Sequence, residues 1–151
     1  MRKQISDVFF WATWPLAWLI LGRSKRARVL VIAEGAVLLV RHWHGSGNLS
    51  MPGGGLKRGE SPARGAAREL HEEMGITVGK GQLRDLGVTR AKSRGIAYTA
   101  YLFAMELPKQ PELKISRFEI MEAGWHKLGD VRGDDVGVEV LRAVRRWRSA
   151  P

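Results

Sequence analysis

The sequence contains no cysteine. Disulfides, thiolate zinc sites and cysteine nucleophiles are thereby excluded, and the chain is compatible with a reducing compartment. Internal repeats and low-complexity tracts are also missing. Acidic residues are in short supply, with 15 Asp and Glu against 25 Lys and Arg, so the net charge is +10. Such a balance favours anionic partners such as nucleotides, nucleic acid or an acidic membrane face. An ordinary solvated surface rich in arginine accounts for it equally well. A length of 151 residues suits one domain with its own hydrophobic core.

One long, strongly apolar run without charge stands at the N-terminus. Between Val8 and Leu21 the one polar side chain is Thr13. As a helix this stretch would span about 21 Å, and residues 5–22 about 27 Å, against a hydrocarbon core of roughly 30 Å. Trp11, Trp14 and Trp18 recur at helical spacing, and Arg23, Lys25, Arg26 and Arg28 follow. Three readings stand. The segment is a short signal anchor or interfacial helix, or a helix packed on the domain or on a dimer partner, or a cleaved secretory signal. A small-residue cleavage site is missing, which disfavours the third. If residues 5–22 meet a membrane, the basic flank places the rest of the chain on the cytoplasmic side, at the inner face of the cytoplasmic membrane. The expected organisation is residues 1–26 as hydrophobic segment and basic flank, then residues 27–151 as one folded domain.

Beyond that segment, residues 28–33 and 36–41 are aliphatic, β-branched runs split by Glu34-Gly35 at hairpin distance. Residues 48–51 read as a short extended piece. Gly53, Gly54 and Gly55 form a loop whose backbone can approach a metal or a phosphate closely. Ser61 is a natural N-cap, Pro62 suits the first helical position and Gly75 suits the residue past the C-terminus. Ala63, Ala67, Leu70 and Met74 are expected to form the docking stripe of this helix, with the glutamates beside it, facing a cleft. Residues 82–90 and 97–107 read as strands, 108–111 as a turn and 118–128 as another strand. Asp134 or Asp135 is expected to cap a final helix over 136–149. Its inner face would hold Val140, Leu141, Val144 and Trp147, and Arg142, Arg145, Arg146 and Arg148 read as a solvated outer face. Elements interleaved this way make an α/β protein of mixed layers.

The helix carries Glu69, Glu72 and Glu73 within five residues. Residues three and four apart on a helix are neighbours, so these carboxylates repel unless a cation sits among them. An oxygen-only cluster favours Mg²⁺ or Mn²⁺. Such ions lower the pKa of a bound water and neutralise charge on a phosphoryl oxygen. A polyphosphate benefits from both effects.

Gly54, Glu60, Arg68, Glu69, Leu70, Glu72, Glu73, Gly75 and Ile76 fill every fixed position of the signature known as the Nudix box. The chain resembles the Nudix hydrolases, MutT-like group. That resemblance implies the Nudix fold, a mixed β-sheet sandwiched between helices (α/β/α), here with an extra N-terminal hydrophobic helix. It implies a pyrophosphohydrolase that cleaves a phosphoanhydride bond in a nucleoside diphosphate derivative or a (d)NTP by metal-activated water. Glu69 and Glu73 are then metal ligands, with Glu72 a further ligand or one acting through water. The backbone carbonyl of Gly53 or Gly54 completes the shell. Glu60 and Arg68 look like the family's orienting pair. Many members use one more carboxylate ahead of a late-strand Trp; Glu119 matches that setting as metal ligand or general base, with Glu122 the second choice and Trp125 following. Arg41 resembles a position used for substrate phosphate.

The four histidines lack a zinc-like spacing. His42 and His44 share a strand face and could meet a phosphate, though they are expected to be partly exposed polar residues. His71 is a variable position of the box. Trp43 could stack on a base, though packing at the rim explains it too.

The substrate is less legible. Marks of coenzyme A and NADH pyrophosphatases are missing, as is the proline of ADP-ribose enzymes. The sole asparagine, Asn48, precedes the box, which weakens a strict analogy with enzymes that read guanine through a C-terminal asparagine. A small-molecule nucleotide is the expected partner, with no specific nucleic acid. RNA 5′-end pyrophosphohydrolysis and a nucleotide-binding module without turnover are the alternatives, and the oligomeric state stays open, a dimer included.

Overall fold

The computed structural model describes residues 24–43 and 46–150. The expectations for residues 5–22, an N-terminal helix and its membrane contact, lie outside the described residues, and so does His44. Among the described residues no helix is long and apolar enough to cross a membrane.

Strands β1 (Lys25–Ala33) and β2 (Ala36–His42) form the expected hairpin. Its turn residues Glu34 and Gly35 are both left-handed, with φ of 51° and 73°. That geometry matches the twist of the flanking strands. Helix α1 spans Pro62–Met74, followed by β3 (Arg84–Ser93), β4 (Ile96–Leu107) and β5 (Ile120–Lys127). A 3₁₀ turn over Leu128–Asp130 leads towards α2 (Val138–Ser149). The five strands make one sheet in the order β3-β4-β1-β2-β5. The β1–β4 pair is parallel and the other pairs are antiparallel, so the sheet is mixed.

Alternation along β1 assigns its two faces. Ala27, Val29 and Val31 face α1 and pack with Ala66, Leu70 and Met74. Leu30 and Ile32 face the other way and pack with Val140, Ala143 and Val144 of α2. One helix therefore covers each face, giving the α/β/α layering. Each fully buried Leu or Met contributes roughly 1.5–3 kcal/mol.

Three local expectations need correction. The docking stripe of α1 runs through Ala66, Leu70 and Met74; Ala63 is exposed and Ala67 only half-buried. The polar flank next to that stripe, Glu69 and Glu73, is buried with it. At α2 the N-cap is Gly137, with no side-chain cap, not Asp134 or Asp135. The arginines of α2 are not simply solvated either. Arg142 donates to Thr89 Oγ1 and the Arg90 carbonyl, and Arg146 donates to the carbonyls of Leu86 and Val88. Strand β3 is an edge with a bulge between Asp85 and Gly87. Its carbonyls lack a second strand, and the guanidinium groups satisfy them.

Candidate active site

The site grows from the way α1 begins and ends. Ser61 Oγ accepts from the Arg64 amide at 3.4 Å, and Pro62 opens the first turn. Gly75 closes the helix in the left-handed region, φ 70°, with its amide on the His71 carbonyl. These caps fix the rotation of the helix, so Glu69 and Glu73, four residues apart, project side by side towards the glycine loop.

That loop is held against β1. The amides of Ala27 and Val29 donate to the carbonyls of Gly54 and Pro52. Gly53 N–H donates to Glu73 Oε2 at 2.8 Å, while the Gly53 carbonyl accepts from Arg28 Nη1 at 2.5 Å. The Gly53 peptide is therefore gripped from both sides.

Glu60 and Arg68 fasten the loop to the helix. Arg68 reaches Glu60 as a fork, Nε to Oε1 at 2.8 Å and Nη2 to Oε2 at 2.9 Å. The same guanidinium bonds Glu69 Oε1 at 2.6 Å, Glu72 Oε2 at 3.0 Å and the Gly55 carbonyl at 3.0 Å. Bidentate pairing adds geometry to the charge. Arg68 and the Lys57 amide hold the Glu60 carboxyl down at about 2. Glu60 and its neighbours hold the Arg68 pKa above its ordinary value.

The turn just before β5 supplies the third acid, Glu119. Ligand oxygens of Glu69, Glu73 and Glu119 lie within 4.8 Å of one another and could hold a metal ion. The donors are all carboxylate oxygens, which suits a hard divalent cation. Glu73 shows the electrostatic cost of this crowding. Burial chiefly, then the charges of Glu69 and Glu119, lift its pKa to about 7, against the opposing pull of the Gly53 amide and Arg28. A cation among the three would relieve that repulsion.

The remaining expected residues are placed differently. Glu72 is half-exposed, bonded to Arg68, and outside the triad. Arg41 pairs with Glu122 across β2 and β5 at 3.2 Å, and it also donates to the Gly47 carbonyl. It does not line the cavity described next.

A cavity of about 660 Å³ runs from Glu69, Glu73 and Glu119 across the α2 face of β1 and β4. Arg26, Arg28 and Tyr98 are part of its lining. His42 Nε2 lies 3.2 Å from Arg28 Nη1, and Nδ1 lies 3.6 Å from Glu73. Burial, then Arg28 and Arg26, push the His42 pKa down to about 3. The ring is neutral at pH 7, so its contact with Glu73 is not an ion pair. On the α2 side, Glu139 is buried and accepts from Ser50 Oγ at 3.0 Å.

Arg26, Arg28 and Glu139 carry no signal in the box. Arg26 and Arg28 belong to the basic run expected to flank a membrane segment, yet β1 begins at Lys25 and Arg28 is 4% exposed. The usable sign was alternation: they continue the face of Leu30 and Ile32.

A NUDIX domain model matches residues 22–147. The chain belongs to the Nudix family. Membership implies hydrolase activity on phosphoanhydrides. The fold is similar to that of a MutT NUDIX hydrolase from Burkholderia pseudomallei, with a TM-score of 0.70 and 19% identity over 82% of this chain and 97% of that one. A Caenorhabditis elegans Ap4A hydrolase gives 0.69 and 20%, covering 83% and 96%. A MutT protein from Methanosarcina mazei Go1 gives 0.67 and 27%, covering 83% and 94%. No curated protein matches the sequence.

Proposed function

We propose that the chain is a Mg²⁺- or Mn²⁺-dependent pyrophosphohydrolase acting on a nucleoside diphosphate derivative or a nucleoside triphosphate. The convergence of Glu69, Glu73 and Glu119 within 4.8 Å, at one end of the cavity, carries this reading. Glu69, Glu73 and Glu119 would hold the cation. Once bound, it supplies neutralisation of phosphoryl charge and a water of lowered pKa. In this reading Glu119, the exposed member of the triad, either completes the cation's ligands or accepts the proton of the attacking water. Glu60 and Arg68 keep the loop and Glu69 in register. Arg41 ties residue 47 to β5 through its bonds to Glu122 and the Gly47 carbonyl.

A phosphate-release screen over nucleoside triphosphates, dinucleoside polyphosphates, nucleotide sugars and capped RNA tests the reading. Turnover is expected with Mg²⁺ or Mn²⁺, to vanish in EDTA and to return on adding either ion. Failure to cleave any anhydride would sink it. Arg68→Lys keeps the charge but loses the fork. It should weaken Mg²⁺ affinity about 10–100-fold, as orienting residues do. Calorimetric Mg²⁺ binding equal to that of the native protein would remove Arg68 from this role.

A further inference from the structure

The floor of the cavity carries a charge pattern that the triad does not use. Arg26 and Arg28 are two apart on β1 and share a face of the sheet. Arg28 is buried, and the half-buried Arg26 lies 4.5 Å above the Tyr98 ring. Among the described residues neither has a carboxylate within ion-pair distance. Arg28 Nη1 is shared among His42 Nε2, the Met51 carbonyl and the Gly53 carbonyl, while the enclosed Arg28 Nε has no acceptor among the described residues. Burial, and then the charge of Arg28, lower the Arg26 pKa. Glu139 offsets part of the charge, but its carboxylate is already bonded to Ser50. Elsewhere on this face the strand carries Leu30 and Ile32. One buried and one half-buried cation without ion pairs are costly there, and an entering anion would offset that cost.

We infer that Arg28, with Arg26, forms an anion subsite that takes a second phosphate of the substrate, one outside the bond that is cleaved. The substrate class is then a diphosphate compound carrying a further phosphate group. A neutral heterocycle could accept a hydrogen bond from a guanidinium, but it would add nothing to the partial compensation that Glu139 and Glu73 give. Arg41, tied to Glu122 and the Gly47 carbonyl, is not part of this floor. That the anion belongs to a substrate rests on the hydrolase reading; that an anion binds does not.

Two arms test this. First, inorganic phosphate is titrated calorimetrically into the full chain in EDTA, so that the acidic triad contributes nothing. Native protein should bind it, Arg28→Gln should weaken binding at least 10-fold, and Arg28→Lys should recover part. If Arg28→Gln does not fold, Arg26→Gln, at a half-buried position, should weaken binding in the same direction. Second, with Mg²⁺, Arg26→Gln, which leaves the Arg28 bond to the Gly53 carbonyl in place, should raise KM at least 10-fold more for cleaved substrates with a second phosphate than for those without. No phosphate uptake by the native protein, unchanged affinity in the variants, or an equal rise in KM for both kinds of substrate overturns the inference. Phosphate uptake through Arg28 in a protein that cleaves no anhydride supports the anion subsite and removes the hydrolase reading.

Discussion

Glu73→Gln should cut turnover by orders of magnitude and yet, at pH 8, raise the melting temperature of the metal-free protein. The first effect follows from charge. The substitution removes one of three carboxylates proposed to hold the cation, and losses of electrostatic stabilisation of this kind cost about 10³-fold in kcat. The second follows from the Glu73 pKa of about 7, raised from 4.5 mainly by burial. A carboxyl raised on folding favours the folded state below its unfolded pKa. That contribution is lost as pH rises from 4.5 through about 7. The shift corresponds to about 3 kcal/mol at most. For a chain of this size it amounts to several degrees in melting temperature. Glutamine is neutral throughout, and its amide oxygen can still accept from Gly53 N–H. In EDTA, the melting temperature of the native protein should fall between pH 4.5 and 8, and that of Glu73→Gln should stay nearly flat over this window. Added Mg²⁺ should stabilise the native protein at pH 8 and leave the variant unmoved. Near-native turnover in the variant, or parallel pH curves in EDTA, would refute the placement of Glu73.

The caps and turns of this fold were legible because their chemistry is local. Ser61, Pro62 and Gly75 bound one helix by what each does to its own backbone, and Glu34-Gly35 needs only its two neighbouring strands. The box positions were legible for a different reason, since nine residues at fixed spacing mark the family. Errors arose where a distant element decides. Periodicity counts Glu69 and Glu73 as polar and keeps them off the stripe, so the expected stripe was displaced towards Ala63 and Ala67. In the fold, the glycine loop and the segment before β5 lie against that flank, and both acids are buried. Glu119 came from resemblance alone, because only the register of β5 on β2 carries it to α1. Arg28 was invisible to hydropathy, which assigns every cation to solvent. Arg142 and Arg146 looked solvated because nothing local shows that β3 is a bulged edge with carbonyls to satisfy.

The three glycines of the loop should respond in three different ways to alanine, and Gly53→Ala should be the severe one. Its φ is +134°, a backbone region that side chains rarely enter. An added Cβ would lie 2.1 Å from the Ala27 carbonyl oxygen and 3.0 Å from Arg28 Cα, both backbone atoms of β1. Neither can move without unpairing β1, which is hydrogen-bonded to β4 along its length. Strain and clash together should cost at least about 4 kcal/mol, and the Gly53 peptide would lose the grip of Glu73 and Arg28. At Gly54 the obstacle is the Glu69 carboxylate, 2.6–2.8 Å from the added carbon. A side-chain end can yield, so Gly54→Ala should fold but displace a proposed ligand, lowering activity about 10–100-fold. Gly55 has nothing within 4 Å, and its φ is not positive, so alanine there should be nearly neutral. Chemical denaturation and steady-state rates on the three variants give the comparison. Equal stability for all three would show that this loop is slack rather than clamped between β1 and α1.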